Sequence, residues 1–583
     1  MCGIAGAIGT RDDGHLIRVM TARLRHRGPD GAGHFSRDRC HVGATRLSIL
    51  DLAAGLQPVF NETGRICVVF NGEIYNHREL RAELRSLGHA FRTETDTEVV
   101  VHLYEEWGDD CVRRLDGMFA FAVLDEARVL LARDRLGIKP LYLCRLPAEG
   151  GFLFASEIKA LLCHPGFSPR LDMQALADAT ALGHPVEDRT YFEGVRTLPP
   201  GHSMVVSCED RLQIGQARRY HTPQIDRDEN ASLRDVEDRL ATALDRAVQT
   251  HMAADVEVGL TLSGGLDSSL LALFAAGHTD RPISTFSIAD HPSHPDWIQA
   301  AAIARMVGSH HHGILMTFDD FVGVIPDLIA AEEQPSSLFG APFLWLCRKI
   351  AEQVRVCLHG EGADELFGGY TYYLEPESRQ STIRARLPRL KQLGMAPSDA
   401  AIAIMHRLSP DGGFSDFLER LFKVEMADPL ERQHLVPVDK CAMSASVEMR
   451  VPYLDTGVVD LVGRMPLRFL VRSDLHVRKY ILRTLALRRF GPEMIDTVLR
   501  SKFGAPAAGL VLLDRFDQIC EQKLPGSYVA RHALGGCFRS KRELLMFDMF
   551  HEIFMKHRGD TTAVGNVLEF LEERSHAAPE LAY

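Results

Sequence analysis

Val256-Glu257-Val258-Gly259-Leu260-Thr261-Leu262-Ser263-Gly264-Gly265-Leu266-Asp267-Ser268-Ser269 runs from an apolar strand pattern through a glycine-rich turn into the helical pattern Ser268–Ala276. The alternation continues on both sides. A helical pattern covers Asp235–Thr250 before it, and strand Ile283–Ile288, helix Ile298–Val307 and strand His312–Met316 come after it. Strands alternating with helices predict an α/β doubly wound parallel sheet, here with helical additions, which binds ligands at the carboxyl ends of its strands. Val354–Leu358 reads as a further strand, and Glu375–Pro437 as mostly helical without a motif. The tail after about Pro525 reads as packed on this domain or mobile.

The first two hundred residues have a different grammar. Short apolar strands are expected at His41–Leu50, Arg65–Phe70, Phe119–Leu124, Val129–Ala132 and Phe152–Ala155, separated by Gly, Asn and Asp turns. Only two helical patterns interrupt them, His77–Leu87 and Thr97–Trp107, so this half predicts an α+β sandwich. Leu198-Pro199-Pro200-Gly201 is a strong turn signal, and Glu209–Ser232 is polar. The expected division is therefore a domain at 1–205, a linker at 206–232 and a second domain at 233–583.

The chain has 583 residues, enough for two large domains, with 46% hydrophobic and 25% charged content. A formal net charge of -12 argues against a nucleic-acid partner. No apolar run reaches bilayer length and the first residues do not read as a signal peptide, so no membrane partner is expected. The 12 cysteines include no C-x-x-C pair, which fits a reducing cytoplasm rather than a disulfide scaffold. His310-His311-His312 reads as a strand start rather than a metal site.

Three groups of residues carry chemistry. In Ser263–Ser269 the glycines let backbone N–H groups approach a polyphosphate, the serines add donors, and Asp267 can hold Mg²⁺. No Gly-Lys-Ser/Thr follows, so it is not a Walker A loop. His359-Gly360-Glu361-Gly362-Ala363-Asp364-Glu365-Leu366-Phe367-Gly368-Gly369-Tyr370 is a second glycine-rich, acidic loop after a sheet strand. Cys2 follows Met1, and removing Met1 would join a thiol and an α-amine in one residue. An α-amine titrates near ~8 and can take the thiol proton, the arrangement a glutamine-hydrolysing nucleophile needs. Asn71-Gly72-Glu73-Ile74-Tyr75-Asn76 reads as a turn that ends a strand and opens a helix, able to aim an N–H and an amide at one oxygen. Arg46 can fork onto a substrate carboxylate, and Glu73 and Asp96 can meet its ammonium.

Met1-Cys2-Gly3, Arg25–Asp30, Arg46-Leu47-Ser48, Asn71–His77, Thr95-Asp96 and Asp134–Tyr142 together resemble the glutaminase domain of class II glutamine amidotransferases, N-terminal-nucleophile hydrolases with an αββα sandwich. The resemblance implies Cys2 as nucleophile, Asn71 and Gly72 as oxyanion stabilisers, and Arg46, Asn71, Gly72, Glu73 and Asp96 as glutamine ligands. Ser263–Ser269 resembles the pyrophosphate loop of ATP pyrophosphatases. With Val447–Asp455 and Arg478–Arg483, the whole chain is similar to the glutamine-hydrolysing asparagine synthetase family. This wider resemblance implies a ligase using ATP and Mg²⁺. It assigns the ATP site to Leu262, Ser263, Gly264, Gly265, Asp267, Ser268, Ile288 and Gly360. It makes Asp267 and Asp364 the metal ligands, with Glu361 shaping adenylate formation and Lys479 facing the α-phosphate. Glutamine and a carboxylic acid acceptor are the implied partners, a buried ammonia passage joins the sites, and a homodimer is an assembly common in the family.

Two departures keep the acceptor open between aspartate and another acid. His359 stands where the family usually has Ser. In Glu333-Gln334-Pro335-Ser336-Ser337-Leu338-Phe339-Gly340-Ala341-Pro342, polar positions expected near the acceptor have become Leu338 and Phe339. Apolar replacements suit a larger carboxylate, as in specialised metabolism or antibiotic biosynthesis. A β-lactam-synthetase-like cyclase needs no ammonia, which the intact Cys2 site argues against. A stand-alone hydrolase with a decayed second half, or a non-catalytic sensor, is opposed by the complete second-domain loops.

Overall fold

The computed structural model describes residues 1–10, 14–146, 150–500 and 508–576. Two antiparallel sheets lie face to face in the first half. The first has the order β10-β8-β9-β1-β3-β2, from β1 (Cys2–Ile8), β2 (Gly31–Arg37), β3 (Cys40–Arg46), β8 (Tyr142–Leu146), β9 (Gly151–Ala155) and β10 (Val195–Thr197). The second has the order β12-β11-β7-β6-β5-β4, from β4 (Val59–Phe60), β5 (Ile66–Ile74), β6 (Gly117–Asp125), β7 (Arg128–Arg133), β11 (His202–Cys208) and β12 (Leu212–Ile214), with β13 (Arg218–Arg219) paired to β11.

The two-residue period of the strands builds the layers. Along β5, Cys67 and Val69 join Ile4, Val42 and Ala122 in the core between the sheets. Val68 and Phe70 point the other way, onto Leu80, Leu84, Val99 and Leu103 of helices His77–Ser86 and Glu98–Trp107. Ala5 and Ala7 of β1 face outward to helix His15–Arg23, which completes an αββα sandwich.

Two expectations fail in this half. Asn71–Glu73 does not form a turn after a strand. β5 runs on through Ile74, pairing Asn71 with Ala120 and Glu73 with Met118, and the helix starts only at His77. The cross-strand ladder overrides local turn preference. The polar stretch read as a linker also pairs into the second sheet as far as Arg219.

The second half holds a five-stranded, all-parallel sheet, β16-β15-β14-β17-β18: β14 (Val258–Thr261), β15 (Ser284–Ala289), β16 (His310–Leu315), β17 (Val356–Leu358) and β18 (Glu448–Arg450). The chain winds outward from β14 through β15 to β16, then returns to β14's other edge as β17. That reversal opens a crevice at the carboxyl ends of β14 and β17, the usual ligand position in such sheets. Thr261–Gly265 and His359–Gly362 both emerge there.

The tail is a joint rather than a mobile end. Its described helices bury Phe547, Phe550 and Phe554, and Phe192 of the first half meets Phe550 and Phe554 edge-on. Residues 577–583 lie outside the described residues. No described helix is long and apolar enough to cross a membrane.

Candidate functional site: two reaction centres and a charged joint

Cys2 opens β1, opposite Arg46 of β3, and is buried. Its backbone N–H donates to Asn71 Oδ1 at 3.1 Å, and Gln57 Nε2 approaches its sulfur at 3.2 Å. Gln57 is clamped by Phe70, donating to its carbonyl at 2.9 Å and accepting its N–H at 2.6 Å. The nitrogen of the Asn71 amide is placed differently. Nδ2 is fully buried yet has no hydrogen-bond partner, so the side chain that accepts the Cys2 N–H keeps a donor free for an incoming oxygen. Gly72 has φ +154°, and a Cβ there would fall 2.0 Å from the carbonyl oxygen of Met118. Only glycine lets β5 hold Asn71 so close to β6.

The remaining first-centre residues converge too, although each already has a partner. Arg46 Nη2 donates to the carbonyls of Leu50 (3.1 Å) and Asp51 (2.7 Å). Asp96 accepts the N–H of Ile74 at 2.9 Å, and burial raises its carboxyl pKa above the ordinary value. Glu73 is buried and ion-paired at 2.9 Å with Arg450 from the far domain. Burial pushes the Cys2 thiol up as well, against the pull of the N-terminal ammonium and the Leu47 N–H. A thiol held neutral needs a base.

With Met1 in place, that base is not Cys2's own nitrogen. The Met1 ammonium lies 3.2 Å from Glu448 Oε2, and its side chain fills a nest of Leu47, Ile49, Val356 and Met443. Removing Met1 would free the Cys2 amine and empty this space.

The second centre sits in the crevice. Gly264, at φ +70°, brings the loop against helix Pro295–Val307, where a Cβ would meet Ala300 N and Asp296 O at 2.7 Å. Ser268 Oγ accepts the Ser263 N–H at 3.1 Å and fixes the loop's shape. Lys479 Nζ lies 2.7 Å from Asp267 and 2.6 Å from Asp364. One ammonium thus joins the two loops that the sequence singled out, and Gly360 backs directly on Asp267 and Ser268. The Leu262 N–H is taken by the Phe286 carbonyl at 2.7 Å, and Ile288 is half-buried on the neighbouring strand.

Glu361 has company that the sequence did not disclose. His359 Nε2 lies 3.3 Å from its Oε2, and His434 Nδ1 3.0 Å from its Oε1. Despite burial, hydrogen bonds from both histidines hold Glu361 well below the ordinary carboxyl value. His434 also reaches Glu365 at 3.3 Å. Burial alone would lower His434, but the two carboxylates carry it to about 10. Glu365, pushed up to about 7 by burial, accepts the Tyr370 hydroxyl. Leu338, expected near the acceptor, is buried in the cluster that Ile288 also packs against, and Phe339 is 46% exposed. It is Phe343, one helical turn on, whose ring lies 5.1 Å from His359.

Between the centres runs a joint of buried charges. Asp439 receives Arg27 at 2.8 Å and Lys139 at 3.0 Å. Glu333 receives Lys440 at 2.7 Å and the N–H groups of Ile158 and Lys159. Arg450 donates to Glu448 (2.5 Å), to Glu73 (2.9 Å) and to the carbonyls of His251 and Ala253. Its own carbonyl accepts the His359 N–H at 2.8 Å.

This fold, with a thiol at the head of an αββα sandwich and a phosphate-type loop at the switch point of a parallel sheet, defines a glutamine amidotransferase joined to a synthetase. Residues 1–220 match the glutamine amidotransferase domain family and residues 239–572 match the asparagine synthase family. A Bacillus subtilis protein, asparagine synthetase [glutamine-hydrolyzing] 3, is 33% identical over 80% of this chain and 81% of its own length. A putative asparagine synthetase of Mycobacterium bovis is 31% identical over 96% and 98%. Arabidopsis thaliana asparagine synthetase 2 is 34% identical over 67% and 65%. The chain belongs to the glutamine-hydrolysing asparagine synthetase family, ATP-dependent carbon–nitrogen ligases that take their nitrogen from glutamine. A solved structure titled as the allosteric regulatory enzyme of purine biosynthesis aligns with a TM-score of 0.30 at 15% identity, over 54% of this chain and 80% of its own, too distant to bear on function. These relatives do not favour the alternative acceptors or the cyclase.

Proposed function

We propose that this chain hydrolyses glutamine at Cys2 and delivers the ammonia to a carboxylate adenylated in the crevice, with aspartate as the acceptor its relatives' names indicate. Cys2 attacks the glutamine amide, and Asn71 Nδ2 with the Gly72 N–H receives the oxyanion. Arg46, Glu73 and Asp96 hold the α-carboxylate and α-ammonium. At the second centre the Ser263–Ser268 loop and Gly360 cradle ATP, with backbone contacts to adenine from Leu262 and Ile288. Lys479 turns from its aspartates to the α-phosphate, and Glu361, kept anionic by two histidines, orders the acceptor around the forming adenylate.

Asp267 and Asp364 would hold Mg²⁺. They fit it, since both carboxylates already converge within 2.7 Å of one cationic nitrogen. When bound, the ion supplies positive charge to the departing pyrophosphate. We place the domain junction between the last paired strand at Arg219 and the helix Leu233–His251. Twelve unpaired thiols suit a reducing cytoplasm, and a homodimer is the proposed assembly by kinship.

The observation that carries the coupling is Arg450, whose side chain holds Glu73 while its carbonyl holds the strand end at His359. The space vacated by Met1 lies against Val356, at the start of the strand that ends beside His359. It is the proposed mouth of an ammonia passage. The test is glutamine labelled with ¹⁵N in its amide, supplied with excess unlabelled ammonium. Once the ammonium-fed rate measured with Cys2→Ala is subtracted, amide product richer in ¹⁵N than the ammonium in solution supports the passage; product with the same label fraction as that ammonium refutes it. Active protein should show no Met1 by intact mass, and full activity with Met1 retained would contradict the amine as base.

A further inference from the structure

On the outer helical layer of the sandwich, four side chains from three segments meet at one point. His102 and Glu105 lie one turn apart on helix Glu98–Trp107. Glu62 comes from the turn between β4 and β5, and His89 from the loop after helix His77–Ser86. His102 Nδ1 is 3.2 Å from Glu105 and 3.5 Å from Glu62. His89 Nδ1 is 3.2 Å from Glu62 and 3.7 Å from Glu105. One ligand atom from each residue lies within 4.8 Å of all the others.

These spacings are those of a tetrahedral metal shell. Zinc bonds to imidazole nitrogen and carboxylate oxygen are about 2.0–2.2 Å, so the edge between two ligands of a tetrahedron is about 3.3–3.6 Å. The four His–Glu separations straddle that edge. The backing of the rings points the same way. Both histidines turn Nδ1 inward and present Nε2 to a further carboxylate, His89 to Glu106 at 3.0 Å and His102 to Glu98 at 3.8 Å. Glu98 is itself fixed by the N–H groups of Arg92 and Thr93, each at 2.7 Å. Metal-bound histidines are ordinarily oriented by an outer carboxylate, as His89 is by Glu106, while Glu98 stands beyond hydrogen-bond reach of His102. His102 is fully buried, and its Nε2 makes no hydrogen bond at normal distance.

We propose that Glu62, His89, His102 and Glu105 form a structural site for one divalent ion of the zinc class. Two nitrogens and two oxygens in a closed set suit Zn²⁺ better than Mg²⁺, and four protein ligands leave no open position for chemistry. The ion would tie the turn ahead of β5, which carries Asn71–Glu73, to the helix that follows Asp96. Its loss should therefore loosen glutamine binding and spare synthesis fed by ammonium.

Chelator-treated full-length protein titrated with ZnCl₂ in a calorimeter should bind one equivalent with a Kd below ~1 μM. Co²⁺ added to the same protein should give the visible bands of a tetrahedral site. Glu105→Gln and His89→Asn, both at partly exposed positions, should each lose this equivalent. His434→Asn should keep it, which separates this site from the Glu361–Glu365–His434 cluster. Wild-type protein with no zinc equivalent and no cobalt bands overturns the proposal, leaving a cluster held by histidine–carboxylate hydrogen bonds alone. Retention of the equivalent in both variants overturns it equally. The zinc-free enzyme should show a raised KM for glutamine at unchanged ammonium-dependent turnover.

Discussion

Arg450→Met tests the joint between the two centres. The Arg450 and Glu448 side chains are fully buried, and Glu73 is 6% exposed. Methionine fills much of the volume but leaves Glu73 without its cation, Glu448 with the N-terminal ammonium alone, and the carbonyls of His251 and Ala253 without their donor. Removing one partner of a buried ion pair costs about 3–5 kcal/mol, because the other charge stays behind unpaired. That is a large share of the ~5–15 kcal/mol that holds a typical domain. In the Arg450→Met background, adding Glu73→Gln and Glu448→Gln removes the stranded charges and should return about 2 kcal/mol or more. Urea unfolding measures both steps. Acid sensitivity gives a second reading. Arg450 and the N-terminal ammonium hold Glu448 at about 2 against burial, where 4.5 is ordinary. A depressed carboxyl contributes stability that is complete above 4.5 and is lost as pH falls toward 2. Arg450→Met should therefore lose stability at neutral pH and show a shallower fall in acid. A triple variant no more stable than Arg450→Met would refute the claim that stranded charge is the cost.

Other perturbations separate the centres. Lys479→Gln should cut pyrophosphate release about 10²–10³-fold, the usual loss for one charge-stabilising donor, with glutaminase activity intact; equal loss of both activities would contradict its placement. Gly369→Ala puts a Cβ 1.8 Å from Asp364 Oδ1 and 2.3 Å from Lys479 Cε, so it should mimic Lys479→Gln in the pyrophosphate assay. The His434 pKa is raised from 6.5 to about 10, so its stabilising contribution is full below 6.5 and lost as pH climbs through 10. Unfolding profiles of His434→Gln should lack that alkaline fall, and a slope unchanged from wild type would exclude His434 as its source.

Much of the architecture was legible because it rests on local pattern. The strand–loop–helix at Val256–Ser269 predicts a parallel sheet, and the structure places that loop at the switch point. The residues of each centre also come together, Cys2 with Asn71 and Asp267 with Lys479. Where local chemistry competed with distant pairing, the sequence misled. Asn71-Gly72 has turn composition, but a full ladder with β6 makes it strand, and polar Leu212–Arg219 pairs for the same reason. Contacts hundreds of residues apart left no local trace. Arg27 and Lys139 fall in recognisable motifs, yet both serve Asp439, which nothing in the sequence marks. His434 lies in a helical stretch without a motif, and only the fold brings it to Glu361. Gln57 carries no signal beyond the proline that follows it.

The central claim is that the Cys2 sulfur frees the nitrogen that the crevice captures. Cys2→Ala, assayed for amide product with ATP and the acceptor, should fail on glutamine and proceed on ammonium chloride. Undiminished product from glutamine in that variant would contradict the account.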